Sequence, residues 1–267
     1  MIASLGMYDW PEARAETDRL WAGIAAALRE QGFSQVPETL ERSTCVKTHW
    51  RSPDLLISQT CGYPLTHEFD GYLELLAAPI YGVEGCTGAE YTSAIVVNKA
   101  SDFAVPADLK GAHATYNGED SLSGHLALRS VFAPLADNGR FFGRLSRSGG
   151  HPASMQMIAD GKADVAAIDC ISFAFGRKHR SHITDNLRVI AYSPSAPALP
   201  YVTRTGRPQT ELHRLKLALA KAFHEPTLAD TRASLFIEGL EFTSRDTYDR
   251  VLQQEADAAA LGYAELG

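Results

Sequence analysis

Short apolar runs that alternate with helix-forming segments limit the fold of this chain more than any other feature. The runs have the length of buried β-strands and read PDLLISQT, YLELLAAPIY, SAIVVNKA, AHATYN and ADVAAID. Helical segments follow several of them along the chain. Strands that alternate with helices predict an α/β protein whose parallel sheets are covered by helices on both faces.

The N-terminal part of the chain carries clear start signals for one strand and one helix. Residues 2–5 predict a strand, and Pro11 opens a helix at a position where its missing N–H costs nothing. Leu20, Ile24 and Leu28 recur at four-residue spacing. This spacing predicts that the three side chains form the core face of the first helix.

A second cycle of strands and helices begins near residue 103. It predicts a short helix at VPADLKG, a helix running toward Phe132, a strand within FFGRLSRSGG and a helix from Pro152 to Ala159. The stretch LRVIAYSPSAPALPYVTR predicts two strands around a proline-rich connection. Helices are expected to fill the remainder to Gly267.

The composition excludes several classes of protein. A chain of 267 residues can form one large domain or two lobes, and a hydrophobic content of 45% with 21% charged residues is typical of globular proteins. Lys and Arg number 25 against 32 Asp and Glu, which gives a net charge of −7. This balance argues against binding to nucleic acid or to anionic membranes, but it leaves a local pocket for a small anion open.

The N-terminus and the cysteines bear on the compartment. The stretch MIASLGMYDWPEARAE has no signal-peptide pattern, and no run approaches the length of a membrane span. As written, the chain is expected to be cytoplasmic, or periplasmic if the natural protein is exported. The cysteines Cys45, Cys61, Cys86 and Cys170 form no CxxC pair and are expected to be reduced thiols, although Cys61 and Cys86 could bridge in an exported protein.

Polar residues follow the predicted strands at their carboxyl ends, where ligands bind in open parallel sheets. These positions are Tyr8-Asp9, Gln59 to Tyr63, Ser121 to Gly124, Gly149 to His151, and Asp169. In YNGEDSLSGHLALR, the two serines and the glycine describe either a helix cap or a cradle for an anion at a helix N-terminus. The recurrence of polar loops at strand ends favours the cradle.

Several motifs, in this order, resemble the phosphate/phosphite/phosphonate substrate-binding proteins of ABC transporters: DLKG, YNGEDSLSG, SGGHPASMQMIADGKADVAAID and SPSAPALPYVTR. The Tyr-x-Ser of AEYTSAIVVNKAS is similar too, and the resemblance covers roughly residues 50–205. It implies an α/β, two-lobed, type II periplasmic-binding-protein-like fold with two crossing segments and an interlobe cleft. We expect residues 1–95 plus 196–267 in lobe 1 and residues 96–195 in lobe 2.

The resemblance also implies a set of ligand-binding residues. Ser121, the N–H of Leu122 and Ser123 match the oxyanion-binding turn. His151 matches a histidine that reaches the same oxyanion, and Tyr91 matches a tyrosine on the opposite lobe. Apart from the resemblance, the serines could simply cap a helix, His151 could be a neighbour of a cap, and Tyr91 could be an ordinary strand aromatic.

Further candidates sit on the same loops. Asp169 could meet a cationic group or cap the following helix, and Tyr8 and Tyr63 could line the site or close the lobe surface. Leu199 and Ile171 stand where relatives that bind aminoalkyl phosphonates have acids. The apolar pair predicts a neutral or small ligand.

The sequence therefore predicts a solute-binding protein for a small oxyanion, phosphate-like or an alkyl phosphonate, that serves an ABC uptake system and its permease. We expect no cofactor, no metal and no catalytic residues. The alternative is a cytoplasmic enzyme or ligand sensor on the same scaffold. THEFDG lacks the second histidine of a zinc protease, and GxGxxG, P-loop and GxSxG motifs are missing. A nucleophilic grouping of Cys170, His151 and Asp169 stays open.

Overall fold

The computed structural model describes residues 1–43 and 45–267, which form a mixture of strands and helices. The strands are β1 (Ile2–Ser4), β2 (Leu55–Gln59), β3 (Leu73–Tyr81), β4 (Cys86–Thr87), β5 (Glu90–Tyr91), β6 (Ser93–Asn98), β7 (His113–Tyr116), β8 (Arg144–Arg147), β9 (Val165–Asp169), β10 (Leu187–Tyr192), β11 (Ala196–Pro197), β12 (Tyr201–Arg204) and β13 (Ile237–Glu241).

The α-helices of the described residues are α1 (Arg14–Glu30), α2 (Val46–Trp50), α3 (Gly62–Thr66), α4 (Ala127–Phe132), α5 (His151–Ala159), α6 (Cys170–His179), α7 (Ser181–Thr184), α8 (Gln209–His224), α9 (Ala229–Ser234) and α10 (Asp249–Ala260). Single 3₁₀ turns lie at Pro11–Ala13, Pro106–Leu109, Ala133–Leu135, Pro226–Leu228 and Arg245–Tyr248. A π-helical turn, Leu122–Leu126, leads directly into α4.

The chain divides into two compact units. Unit 1 comprises Met1–Gly82, Thr87–Ala89 and Pro197–Thr247, and unit 2 comprises Val83–Cys86, Glu90–Ala196 and Tyr248–Gly267. The lobes proposed from the sequence differ from these units at residues 83–86, 90–95, 196 and 248–267. At the C-terminus the reason is packing, because Ala258, Tyr263 and Leu266 belong to the same buried core as the unit 2 aromatic residues, Phe132 among them.

Unit 1 is built on a sheet of order β1-β2-β12-β3-β13. Strands β1 and β2 are parallel, whereas β12 is antiparallel to both of its neighbours, β2 and β3. Helix α1 packs against α8, and Leu20, Ile24 and Leu28 are almost fully buried, which confirms the predicted core face. The expectation that helices fill the C-terminal part is wrong in one place, because Ile237–Glu241 pairs with β3 as strand β13.

Unit 2 is built on a second sheet, of order β10-β6-β9-β7-β8. Strands β7, β8 and β9 are mutually parallel, while β6 is antiparallel to both β9 and β10. The α/β prediction is therefore confirmed, but the prediction of parallel sheets is wrong for β6, β12 and β13. Strands β6 and β12 are the first long strands after the chain passes from one unit to the other. Two neighbouring strands can run parallel only if a crossover connection, usually a helix, joins them. No helical crossover leads directly into β6 or β12, so each can run antiparallel to its neighbours.

Candidate functional site

The carboxyl ends of β7, β8 and β9 meet at one edge of the unit 2 sheet because the three strands are parallel. The turns after β7 and β8 carry Ser121–Gly124 and Gly149–His151, and Asp169 is the last residue of β9. Strand β6 runs the other way, and its first residue, Ser93, pairs with Asp169. The segment at Tyr91 therefore arrives at the same edge.

The turn after β7 forms a helix cap at Ser121. Its Oγ accepts a hydrogen bond from the N–H of Gly124 at 3.0 Å, and its carbonyl oxygen accepts from the N–H of Leu126 at 3.0 Å. The latter bond spans five residues and produces the π-helical turn. The N–H groups of Leu122 and Ser123 belong to the first turn, where an intrahelical acceptor does not exist. The two N–H groups are therefore candidate donors to an anion.

Gly124 is required by the tightness of this turn. A Cβ at this position would lie 1.9 Å from Oδ1 of Asn117 and 3.3 Å from Oγ of Ser121. Any side chain would push the loop away from the helix start. The Ser-Ser-Gly pattern therefore combines a capping serine, a second serine and the residue that lets the loop close over them.

The second serine, Ser123, meets the predicted histidine. Its Oγ lies 2.8 Å from Nε2 of His151, the first residue of α5. Ser123 is 5% exposed, and His151 is partly exposed as a whole residue. The Nδ1 atom of His151 is buried and has no hydrogen-bond partner among the described residues. Burial lowers the pKa of His151 to about 4, so the ring is neutral at physiological pH.

A narrow cavity of unit 2 lies beside this Ser123–His151 pair. It is lined by Tyr91, Ser93, Leu122, Ser123, Ala127, Ser130, Ser193, Pro194, Ala196 and Gln254. Its free volume is large enough for about one water molecule. Within the part of the chain that the structure describes, none of the lining residues is charged. The cavity is therefore uncharged, with hydroxyl, amide and phenol groups set among the apolar residues Leu122, Ala127, Pro194 and Ala196.

Tyr91 is placed differently from the prediction. It belongs to unit 2, lines the same cavity as Ser123 and is 1% exposed, whereas the resemblance placed it on the opposite lobe. The antiparallel direction of β6 is the reason, because it brings the residues just before Ser93 to the edge where the helix starts lie.

Sequence analysis missed four polar residues that line the cavity: Ser93, Ser130, Ser193 and Gln254. Ser93 could have been predicted from the sequence, because it is the serine of the Tyr-x-Ser motif in AEYTSAIVVNKAS. The N–H of Ser93 donates to Oγ of Ser193 at 2.9 Å, and the N–H of Ser193 donates to the Ser93 carbonyl at 2.9 Å. No local signal marks Gln254, because the sequence of a C-terminal helix does not indicate which unit the helix packs against.

Helix α10 fixes the segments that carry the cavity residues. Gln254 Nε2 and Arg250 Nη2 donate to the carbonyl oxygen of Ser195 at 2.8 and 3.2 Å. Arg250 also pairs with Glu90, the residue before Tyr91, and the Ser195 hydroxyl donates to the same carboxylate. Hydrogen bonds from Ser195 and then Arg250 lower the pKa of Glu90. The C-terminal helix therefore holds both segments in place.

The remaining predicted residues have structural partners. Asp169 is buried, and its carboxylate caps α6 by accepting from the N–H of Ser172 at 2.9 Å. Cys170 and His151, two members of the nucleophilic grouping considered above, contact different neighbours. Cys170 Sγ lies against Cys86, and His151 Nε2 contacts Ser123. In unit 1, Tyr8 packs edge-on against Tyr81, and Tyr63 stacks on His67.

The two apolar residues singled out by the sequence are buried. Ile171 and Leu199 have exposed fractions of 0% and 6%.

Among the described residues, no group of His, Cys, Asp and Glu could hold a metal ion. In residues 1–43 and 45–267, none of the helices has the length and apolarity needed to cross a membrane.

Comparison with known families gives the class of the protein. Residues 52–248 match the family described as ABC transporter, phosphonate, periplasmic substrate-binding protein. The match spans most of the chain. The chain therefore belongs to this family of substrate-binding proteins.

Solved structures share the fold across nearly the whole chain. A binding protein component of an ABC phosphonate transporter from Pseudomonas aeruginosa, PA3383, is 16% identical with a TM-score of 0.78, covering 98% of this chain and 87% of its own. PhnD1 from Prochlorococcus marinus, solved with methylphosphonate, is 15% identical with a TM-score of 0.73 and 97% coverage of both chains. XAC2383 from Xanthomonas citri, solved with ATP, is 15% identical with a TM-score of 0.71, covering 98% and 97%. The binding-protein fold predicted from the sequence is confirmed.

Proposed function

We propose that this protein reversibly binds a small oxyanion, phosphate-like or an alkyl phosphonate, and delivers it to an ABC permease. The observation that carries the proposal is the pairing of Ser123 with His151 beside the first-turn N–H groups of Leu122 and Ser123. A phosphonate group has three acceptor oxygens. Hydroxyls and backbone N–H groups at the positive end of a helix can satisfy them.

The tautomer of His151 decides whether Ser123 can donate to an anion. If Nε2 carries the proton, it donates to Ser123 Oγ, and the serine hydrogen is free for the ligand. If Nδ1 carries the proton, Ser123 donates to Nε2 and turns its lone pairs toward the anion. We favour the first tautomer, because the second also leaves a buried N–H at Nδ1 without an acceptor among the described residues.

The neutral lining bears on ligand selectivity. Cavity residues such as Tyr91, Ser93 and Gln254 offer hydrogen bonds but no charge that could pair with a ligand amine. Asp169, the acid that the sequence suggested for a ligand amine, caps α6 instead. A ligand amine beside these residues would therefore lack an ion-pair partner among them, so we expect an uncharged substituent to be preferred over an aminoalkyl one. The methylphosphonate complex of PhnD1, a protein of the same fold, supports this ligand class.

The contributions of Tyr8, Tyr63 and Asp169 to ligand binding are proposed on the resemblance. Tyr63 is partly exposed, whereas Tyr8 is largely buried. A site in the periplasm and a membrane permease as partner are proposed from the family, which is periplasmic and belongs to ABC transporters.

A ligand panel tests the proposed function. We expect methylphosphonate, phosphite or phosphate at millimolar concentration to raise the melting temperature of the purified chain by several degrees, since a ligand present at 100 times its Kd adds about 2.7 kcal/mol. 2-Aminoethylphosphonate should have a smaller effect, and methanesulfonate serves as a monoanionic control. If all the phosphorus oxyanions leave the melting temperature unchanged and titration calorimetry detects no heat, the proposal is wrong.

A further inference from the structure

Unit 2 contains a pair of cysteines that the proposed ligand site does not use. The Sγ atoms of Cys86 and Cys170 lie 3.3 Å apart. Both cysteines are free thiols in this structure, since a disulfide would bring the sulfurs to about 2.05 Å. The contact is closer than ordinary packing of two sulfur atoms. A small movement of either side chain would bring them within bonding distance.

The backbone holds the two cysteines together. The N–H of Thr92 donates to the Gly85 carbonyl at 2.9 Å, and the N–H of Cys170 donates to the Thr92 carbonyl at 3.1 Å. Gly85 has a φ of +97°, and a Cβ there would lie 3.0 Å from Cβ of Cys170. The glycine therefore lets the segment before Cys86 approach the start of α6, where Cys170 is the first residue.

The two thiols differ in accessibility. Cys86 is partly exposed, whereas Cys170 is buried at 3% exposure. Its hydrogen-bonding contact with Cys86, and then burial, raise the pKa of Cys170. An external disulfide therefore meets Cys86 first, and Cys170 is the sulfur that can resolve the mixed disulfide.

We propose that Cys86 and Cys170 form a reversible disulfide through exchange with a small-molecule disulfide or a disulfide oxidoreductase. The Cys86 thiolate attacks one sulfur of the reagent and displaces a thiolate. Cys170 then loses its proton to solvent and attacks Cys86 Sγ, displacing the second thiolate. In total, two protein thiols and one disulfide reagent yield one protein disulfide and two reagent thiols. The family to which the chain belongs is periplasmic, and that compartment is oxidising.

The disulfide would tie the segment through which the chain first enters unit 2 to the start of α6. It closes a long loop, from residue 86 to residue 170, and so restricts the unfolded chain. The expected result of oxidation is an increase in melting temperature of about 5–10 °C, from the usual effect of one disulfide in a chain of this size.

The test compares the full chain after incubation with oxidised glutathione and with a phosphine reductant. We expect thiol titration of the unfolded protein to fall from four groups to two, since the chain has four cysteines. Non-reducing peptide mapping should join the peptides of Cys86 and Cys170. The rise in melting temperature should occur in the wild type and in Cys45→Ser, whose cysteine is exposed, but not in Cys86→Ser.

Cys86→Ser keeps a side chain of similar size at a partly exposed position, so its fold is expected to survive. The Cys61→Ser variant should behave like the wild type, which separates this pair from a bridge between Cys61 and Cys86. Glutathione that stays attached to Cys86, a map that joins other cysteines, or an equal rise in Cys86→Ser would overturn the proposal. None of these readouts depends on whether the protein binds an oxyanion.

Discussion

Replacing Ser121 and Ser123 together by alanine is expected to lower the affinity for every phosphate-like or phosphonate ligand at least a hundredfold. In the proposed binding mode, the change removes two hydroxyl donors to a charged group, each worth ~1.5–3 kcal/mol. A loss of about 3 kcal/mol already corresponds to more than a hundredfold in Kd. Titration calorimetry with methylphosphonate and with phosphate measures the effect on two ligands that share only the oxyanion.

The two single variants distinguish the structural role of Ser121 as a helix cap from the proposed role of Ser123 in binding the anion. Ser121→Ala removes the cap on Gly124, so we expect a loss of about 1 kcal/mol in the free energy of unfolding. Ser123→Ala leaves that cap intact and should chiefly weaken binding. Ser101→Ala is the matched control, because the Ser101 hydroxyl bonds the Asn98 carbonyl and does not line the cavity. Normal binding by the double variant would reduce the Ser-Ser-Gly turn to a helix cap.

The second large effect concerns the pH dependence of stability. The folded-state pKa of His151, about 4, lies below the value near 6.5 expected in the unfolded chain. Between these values the unfolded state binds one more proton than the folded state, so stability falls as pH falls. The contribution is fully present above pH 6.5 and is lost toward pH 4. Its full size is about 3 kcal/mol.

The measurement is urea denaturation between pH 7.5 and pH 4.5 in the wild type and in His151→Gln. Burial also lowers the pKa values of His113 and His125, so the wild-type slope alone contains several contributions. The difference between the two proteins isolates His151. We expect the wild type to lose about 2–3 kcal/mol more than the variant across this range. Equal losses would mean that folding does not lower the pKa of His151.

The parts of the site that the sequence predicted are those set by local signals. Ser121 and Gly124 carry a cap and a close approach within a few residues, and the parallel β7, β8 and β9 bring that turn and the His151 turn to one edge. The helix boundaries near Pro11 and Pro152 follow in the same way, since proline fits only the first turn.

The parts that the sequence did not predict depend on the direction of strands and on contacts between distant segments. Nothing in SAIVVNKA indicates that β6 runs against β9, yet this direction places Tyr91 and Ser93 at the cavity. The same holds for α10, whose Gln254 reaches the Ser195 carbonyl across 59 positions of sequence. Similarly, the partner of Cys86 is Cys170 because β9 ends beside the segment that leads into β5.

A crystal structure of the protein with methylphosphonate tests the central claim most directly. We expect the phosphonyl oxygens within about 2.5–3.2 Å of Ser123 Oγ and of the first-turn N–H groups of Leu122 and Ser123. The Ser123–His151 hydrogen bond should persist in the complex. A ligand bound elsewhere, with the Ser123–His151 pair and the helix start empty, would contradict the account.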